Sequence, residues 1–198
     1  NTFGSGTFTI NGGALTVSTA NSWGGTTRNV TFGGIGTLTF GATYTAGTLT
    51  VNSGANATIA VGVNTAVPTF TSTTGAGTLF YIPGVGLSPI LNIGNASSFT
   101  GNLAVQIGAG TNPRGRIQFS SISDTADSVL QFGGLSGDSS QWLMFSLAGN
   151  AGDLTFNNRQ IEILQRASGN HGVFRSILEN NNGNAGGKWV INTPLLYR

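Results

Sequence analysis

The sequence predicts an all-β protein of the right-handed parallel β-helix class, a β-solenoid in which short strands stack coil upon coil. Two observations carry this prediction: a five-residue phrase recurs along the chain, and the 198 residues include 32 glycines. A third observation is that Thr, Val, Ile and Phe, which favour strands, dominate the periodic stretches, while helical signals are nearly absent. Gly and Asn cluster between these stretches, where turns need a positive φ.

The recurring phrase consists of glycine, any residue, leucine or phenylalanine, threonine and an apolar residue. Its glycine indicates a turn, and the residues after it alternate as in a half-buried strand. The phrase occurs at 6–10, 13–17, 36–40, 47–51 and 152–156. Internal echoes of this kind are typical of solenoids, because each coil meets the same environment as the coil below it.

The phrase also predicts which side chains point into the coil. Side chains alternate along a strand, so Leu49 and Val51 should point inward and Thr50 outward. Inward apolar residues would stack at about 4.8 Å, and outward Thr, Ser and Asn would form hydrogen-bonded ladders. At about 20 residues per coil, the chain is expected to make about ten coils.

Charge is scarce and unevenly distributed. The chain has eight Lys or Arg and six Asp or Glu, a net charge of +2. Arg28 is the only charged residue before Pro113, and the first carboxylate is Asp124. The absence of a basic stripe excludes nucleic acid as a partner. No apolar run reaches the roughly 18–20 residues of a membrane span.

Low charge and the absence of cysteine predict a secreted protein, stabilised by backbone ladders and apolar stacking instead of disulfides. The N-terminus lacks the charged segment and following apolar segment of a signal peptide. Because the chain begins at Asn1 instead of Met, we expect a processed product or a piece of a longer protein.

We expect a single β-solenoid domain over 1–198, because no linker divides the chain. Residues 1–110 are predicted to form nearly uncharged coils rich in Gly and Thr. Residues 111–198 are more charged and are predicted to form larger coils or a cap. A short helix over 121–130 is an alternative for one segment, which its Ser, Thr and Asp disfavour.

The two most regular segments, 34–41 and 43–54, resemble the autotransporter-associated β-strand repeat. The clearest match covers about Val30 to Val61, with a fainter echo over 75–108. Flanking segments of such proteins are similar to 159–163, 177–181 and 187–192. The resemblance implies a right-handed parallel β-helix in a large bacterial surface or secreted protein. The family has no catalytic residues to carry over to this chain.

Few groups suit catalysis, and we predict no catalytic, cofactor-binding or metal-ligating residues and no enzyme activity. The only histidine, His171, lies in a turn-like Ser-Gly-Asn-His-Gly context, and no serine or acid can be placed beside it. Asp124 and Asp127 could pair as in a polysaccharide-cleaving groove, but their Ser- and Thr-rich context favours a turn. A calcium site at either of them or at Asp138 is disfavoured, because the glycine-rich calcium repeat is absent.

Aromatic side chains are the remaining candidates for ligand binding. Trp23, beside two glycines, is the best of them for a sugar, followed by Tyr44 and Tyr81. Inward packing is the favoured interpretation of each, since a solenoid core needs large apolar side chains.

The function predicted from these observations is structural. A solenoid has unpaired backbone groups at both ends, and the N-terminal half lacks the charges that would prevent association. We therefore predict an extracellular or cell-surface bacterial segment of a fibre, surface layer or adhesin stalk, which self-associates end to end or continues a larger surface protein. The alternatives are a polysaccharide-binding or polysaccharide-cleaving β-helix with a glycan partner, and an antiparallel capsid- or tail-like protein. No cofactor is expected.

Overall fold

The computed structural model describes residues 6–19, 28–62, 66–84, 89–106, 114–133, 141–148, 153–164, 174–180 and 188–198. Every element in these ranges is a β-strand, and the strands pair in parallel. This arrangement confirms the predicted parallel β-solenoid. The antiparallel pairing of a capsid-like protein is not found among the described residues.

The strands form three ladders, which we call faces A, B and C. Face A contains β3 (Tyr44–Val51), β5 (Pro68–Gly75), β7 (Ile90–Asn92), β10 (Arg114–Phe119), β13 (Gln141–Leu147) and β16 (Phe174–Asn180), of which β3 and β5 contribute their first halves. Face B contains β1 (Thr7–Val17), β2 (Asn29–Phe40), β4 (Asn56–Val61), β6 (Thr78–Ile82), β9 (Asn102–Val105), β12 (Val129–Phe132), β15 (Gln160–Ile163) and β18 (Leu195–Tyr197), of which β1 and β2 contribute their second halves.

Face C joins the first halves of β1 and β2 to the second halves of β3 and β5. It continues into β8 (Asn95–Phe99) and β11 (Ser121–Ile122). A separate two-stranded parallel sheet is formed by β14 (Leu154–Phe156) and β17 (Trp189–Ile191). The long strands β1, β2, β3 and β5 therefore each contribute to two faces. Face C has strands of its own only from β8 onward.

One inward column runs through all eight strands of face B. Its members are register partners in turn: Leu15, Leu38, Ile59, Tyr81, Val105, Phe132, Ile163 and Tyr197. The column shows that every coil contributes one side chain at the same place, as a stacked solenoid requires.

The coils lengthen toward the C-terminus. Hydrogen bonds between adjacent coils join residues 24 apart in sequence at Thr48 and Ser72, 31 apart at Gln131 and Glu162, and 34 apart at Arg159 and Thr193. The predicted series of ten coils of about 20 residues is therefore wrong. The strands keep their pairing, and the added residues lie between them.

The core fills the space between the three faces. Leu49 and Val51 are fully buried and Thr50 is only half-buried, as the alternation predicts. On the outer surface, the Thr50 and Thr74 hydroxyl oxygens lie 3.3 Å apart, and those of Thr48 and Ser72 lie 2.9 Å apart. The predicted hydroxyl ladder is therefore present between β3 and β5.

Glycines allow neighbouring coils to approach closely at the corners. A Cβ on Gly101 would lie only 1.8 Å from the carbonyl oxygen of Gly77, one coil below. Gly75 has a φ of +106°, and a Cβ there would lie 2.0 Å from the Val51 carbonyl oxygen. Any larger residue at these corners would push two coils apart.

The segment 121–130, for which a helix was the alternative, contains no helix. It consists of β11, a turn and the start of β12. Asp127 lies in that turn with a φ of +61°, a conformation that aspartate tolerates better than most residues. Among the described residues, no helix is long and apolar enough to cross a membrane.

Candidate functional site

Two carboxylates of the C-terminal region, Asp153 and Glu179, form ion pairs between coils. Lys188 Nζ lies 3.4 Å from Asp153 Oδ2, and Arg116 Nη2 lies 3.2 Å from Glu179 Oε2. Within the described ranges, no group of three or more His, Asp or Glu side chains could hold a metal ion. These contacts link one coil to another.

Asp124 organises the turn that precedes β15. Its Oδ1 accepts N–H bonds from Asn158 and Arg159, at 3.0 and 2.8 Å, and its Oδ2 accepts one from Asn157 at 2.8 Å. Burial alone would raise the pKa of the Asp124 carboxyl, but the bonds from Arg159, Asn157 and Asn158 lower it, and the pKa lies below its ordinary 3.8. Asp124 itself lies in the connection between β11 and β12, and its bonds reach the turn on the next coil.

The side chain of Arg159 is fully buried beneath this turn. Its Nε donates to the Ser123 carbonyl at 2.8 Å, its Nη1 to the Gly101 carbonyl at 2.8 Å and its Nη2 to the Phe99 carbonyl at 3.0 Å. These acceptors lie on the two coils below Arg159, at the corner where faces C and B meet. One guanidinium group therefore donates to three backbone carbonyls on two coils.

The charge of Arg159 is also balanced locally. Burial lowers the pKa of Arg159 to about 10, and the nearby Asp124 carboxylate acts in the opposite direction. The guanidinium therefore remains charged at neutral pH. We call Arg159, the three carbonyls that its guanidinium bonds, and Asp124 the corner clamp.

Glu162 occupies an outward position on face B and is only 7% exposed. Gln131 Nε2 donates to its Oε2 at 2.7 Å, and Arg198 Nε lies 3.1 Å from its Oε1. Gln131 lies one coil below Glu162 and Arg198 one coil above. The carboxylate is thus fixed from both sides.

A cavity of about 280 Å³ opens on the outer surface of face B beside this carboxylate. Its lining includes Thr78, Phe80, Asn102, Ala104, Gln131 and Glu162. The lining comes from four successive strands, β6, β9, β12 and β15. It combines an aromatic ring, two amides, a hydroxyl and a carboxylate, which is a mixed surface of the kind that small-molecule sites use.

The tyrosines proposed as sugar-binding side chains point inward, and the favoured interpretation is correct for both. Tyr44 is 4% exposed and donates its hydroxyl to the Val17 carbonyl at 3.1 Å. Tyr81 is fully buried, and its hydroxyl has no hydrogen-bond partner among the described residues. Burial raises the pKa of Tyr81 well above its ordinary value.

Three candidates lie outside the described residues: Trp23, Asp138 and His171. The structure therefore says nothing about a sugar contact at Trp23, calcium at Asp138 or acid–base chemistry at His171. The predictions for these positions remain predictions.

The last coil exposes side chains whose partners in the coil below are core residues. Leu195 is 62% exposed, although its register partner Ile161 belongs to the core. Tyr197 is 70% exposed, although its register partner Ile163 packs against the core. Ile191 is 38% exposed above the fully buried Phe156. We call Ile191, Leu195 and Tyr197 the open apolar end.

No family model, curated protein or solved structure matches this chain. The resemblance to the autotransporter-associated repeat therefore rests on the sequence phrases alone.

Sequence reasoning missed both the corner clamp and the outer cavity. The alternation in 159–166 places Glu162 outward, but only the register shows that Gln131 lies beneath it. No spacing rule marks Arg159, because its acceptors are backbone carbonyls, which every residue has. The weak signal for the clamp was the isolated Asn157-Asn158-Arg159 between two strand phrases, a composition typical of turns.

Proposed function

We propose that this chain is a structural β-solenoid segment of an extracellular or cell-surface bacterial protein, and that its coils stack end to end with those of another copy or of a longer chain. The observation that carries the proposal is the open apolar end, where Leu195 and Tyr197 are 62% and 70% exposed. Side chains that match core positions in the coil below stabilise the protein further when another coil covers them.

The opposite end supports the same proposal. β1 pairs with β2 and is the first described strand of face B. This strand contains no charged residue, and charges are the usual means of preventing edge-to-edge pairing. Face B begins at β1 and ends at β18, so the β1 of a second copy would extend the Leu15 to Tyr197 column.

The test is negative-stain electron microscopy of the purified chain over a range of concentrations, with sedimentation velocity in parallel. We expect filaments of uniform width whose length grows with concentration. The double variant Leu195→Glu, Tyr197→Glu should remain folded by circular dichroism and give only short rods, because charges would prevent burial of the end.

Ile35→Glu is the matched control. Ile35 is 71% exposed but lies at the bend of β2, away from the open apolar end. Filaments should persist in this variant. Isolated monomeric rods of the unmodified chain at every concentration would contradict self-stacking.

A further inference from the structure

The outer cavity of face B has a floor and two walls set by one column of outward residues. Phe80, Ala104, Gln131 and Glu162 are register partners on four consecutive coils. Ala104 is the smallest member of this column, and at 1% exposure it lies at the bottom of the cavity, between the larger side chains of Phe80 and Gln131. Since neighbouring strands lie about 4.8 Å apart, the walls are separated by roughly 9.5 Å along the solenoid axis.

The polar groups of this cavity are held in fixed orientations. Gln131 Nε2 donates to Glu162, which turns the amide oxygen of Gln131 away from that carboxylate. Asn102 Oδ1 accepts the Val129 N–H at 3.0 Å. The amide nitrogen of Asn102 therefore points away from the Val129 backbone. The Gln131 amide oxygen and the Asn102 amide nitrogen are the atoms that these two bonds leave unused, and the Thr78 hydroxyl belongs to the same lining.

We propose that this cavity binds one neutral pyranose residue of a glycan. A sugar hydroxyl both donates and accepts a hydrogen bond, which suits a lining with an amide acceptor on Gln131 and an amide donor on Asn102. The apolar C–H groups of a pyranose ring fit the aromatic wall at Phe80. This binding activity is additional to end-to-end stacking and uses a different surface.

The charges around the cavity favour a neutral ligand over an ionic one. Glu162 is the one carboxylate in the lining, and Arg198 balances it at 3.1 Å. No Lys or Arg side chain lines the cavity within the described residues, as an anionic sugar would require. The flanking outward position on the coil below Phe80 is Thr58, which adds another neutral hydroxyl.

The experiment is saturation-transfer difference NMR of the chain with four neutral hexasaccharides: fragments of β-1,4-glucan, β-1,4-xylan, β-1,4-mannan and α-1,4-glucan. A hexamer of galacturonate serves as the acidic probe. We expect binding of at least one neutral hexasaccharide and none of the acidic one. Sedimentation at the NMR concentration records the assembly state, so that the binding result is independent of stacking.

Three variants locate the binding. Ala104→Leu should fill the bottom of the cavity and abolish the transfer signal, and Phe80→Ala should weaken binding at least tenfold. Ala60→Leu is the matched control, because Ala60 is an outward alanine of the same face outside the cavity lining, and it should bind like the unmodified chain. If Ala104→Leu fails to fold, the binding measured for Phe80→Ala and Gln131→Ala tests the proposal instead.

Two results would overturn the proposal. One is the failure of all four neutral probes to bind, or binding of the galacturonate hexamer alone. The other is unchanged binding in folded Ala104→Leu or, where that variant does not fold, in both Phe80→Ala and Gln131→Ala.

Discussion

Arg159 Nη1 donates to the carbonyl oxygen of Gly101 at 2.8 Å across a sequence separation of 58 residues. The same guanidinium bonds the carbonyls of Phe99 and Ser123, so that one side chain joins three consecutive coils. A parallel ladder links each coil only to its two neighbours. The corner clamp therefore adds a contact that reaches beyond the nearest neighbour, in the part of the chain where the coils lengthen.

Arg159→Met should destabilise the protein by about 3–5 kcal/mol, the loss seen when one partner of a buried charged network is removed. The cause is that the carbonyls of Gly101, Ser123 and Phe99 would each lose a charged donor, although the Phe99 carbonyl keeps the Ser123 hydroxyl. Urea unfolding followed by circular dichroism measures the loss. The control is Lys188→Met, which breaks an exposed ion pair and should cost no more than about 1 kcal/mol. Equal losses in both variants would contradict a special role for Arg159.

Asp124 gives the clamp a dependence on acidic pH. Its folded-state pKa lies below 3.8, so the stability it contributes is present above that pH and is lost as pH falls through the folded-state pKa. Asp124→Asn should lower the free energy of unfolding by about 1–2 kcal/mol at neutral pH, because a neutral amide replaces the charged acceptor of these hydrogen bonds. The loss stays small because solvent screens part of the charge.

The check on Asp124 is the free energy of unfolding measured from neutral pH to below pH 3.8. The difference between Asp124→Asn and the unmodified chain should shrink as the pH falls. Asp153→Asn provides a comparison, since Asp153 is partly exposed and accepts one backbone N–H from Lys188 at 3.1 Å. A constant difference at every pH would show that the Asp124 charge is not involved.

Tyr81→Phe should leave the stability unchanged or increase it, by up to about 1 kcal/mol, because it removes a buried hydroxyl that has no partner among the described residues. The folded-state pKa of Tyr81 is raised, so its contribution is complete below the ordinary value of 10.0 and is lost as pH rises above it. The variant should therefore unfold less readily at alkaline pH. Thermal unfolding at neutral and alkaline pH tests both statements, and a strongly destabilised variant would reveal a hydrogen bond to the hydroxyl.

Gly101→Ala should destabilise the protein by about 3 kcal/mol, because its Cβ would lie 1.8 Å from the Gly77 carbonyl oxygen and the two coils would have to separate. Gly12→Ala is the matched control, since the nearest atom to its Cβ would be the Ile35 carbonyl oxygen at 3.8 Å, an ordinary contact. Its effect should stay within about 0.5 kcal/mol. Differential scanning calorimetry of the two variants distinguishes these outcomes.

The fold could be predicted because its determinants are local and repeated. Leu49, Thr50 and Val51 show the inside and outside of the coil by alternation alone, and their burial agrees. Tyr44 and Tyr81 followed the same rule, as a large apolar ring is more stable in the core. Sequence alternation was therefore sufficient for the strands and for the direction of their side chains.

Register and the length of each coil could not be predicted, and the cavity and clamp depend on both. Gln131 and Glu162, bonded across adjacent coils, are 31 residues apart in sequence, whereas the bonded Thr48 and Ser72 are only 24 residues apart. A constant repeat would have brought other residues together. The intervals vary because the connections between strands differ in length while the strands keep their pairing, and no local phrase encodes the length of a connection.

The lengthening of the coils divides the molecule into parts with different tolerance for change. Between Leu15 and Tyr81 successive column positions are almost evenly spaced in sequence, so one such segment could be duplicated or lost and the ladder would close again in register. Beyond Val105, the number of residues between successive column positions increases at every coil. The corner clamp joins three consecutive coils in this part of the chain. The N-terminal part should therefore tolerate the gain or loss of one coil, whereas the same change in the C-terminal part would separate the partners of the corner clamp.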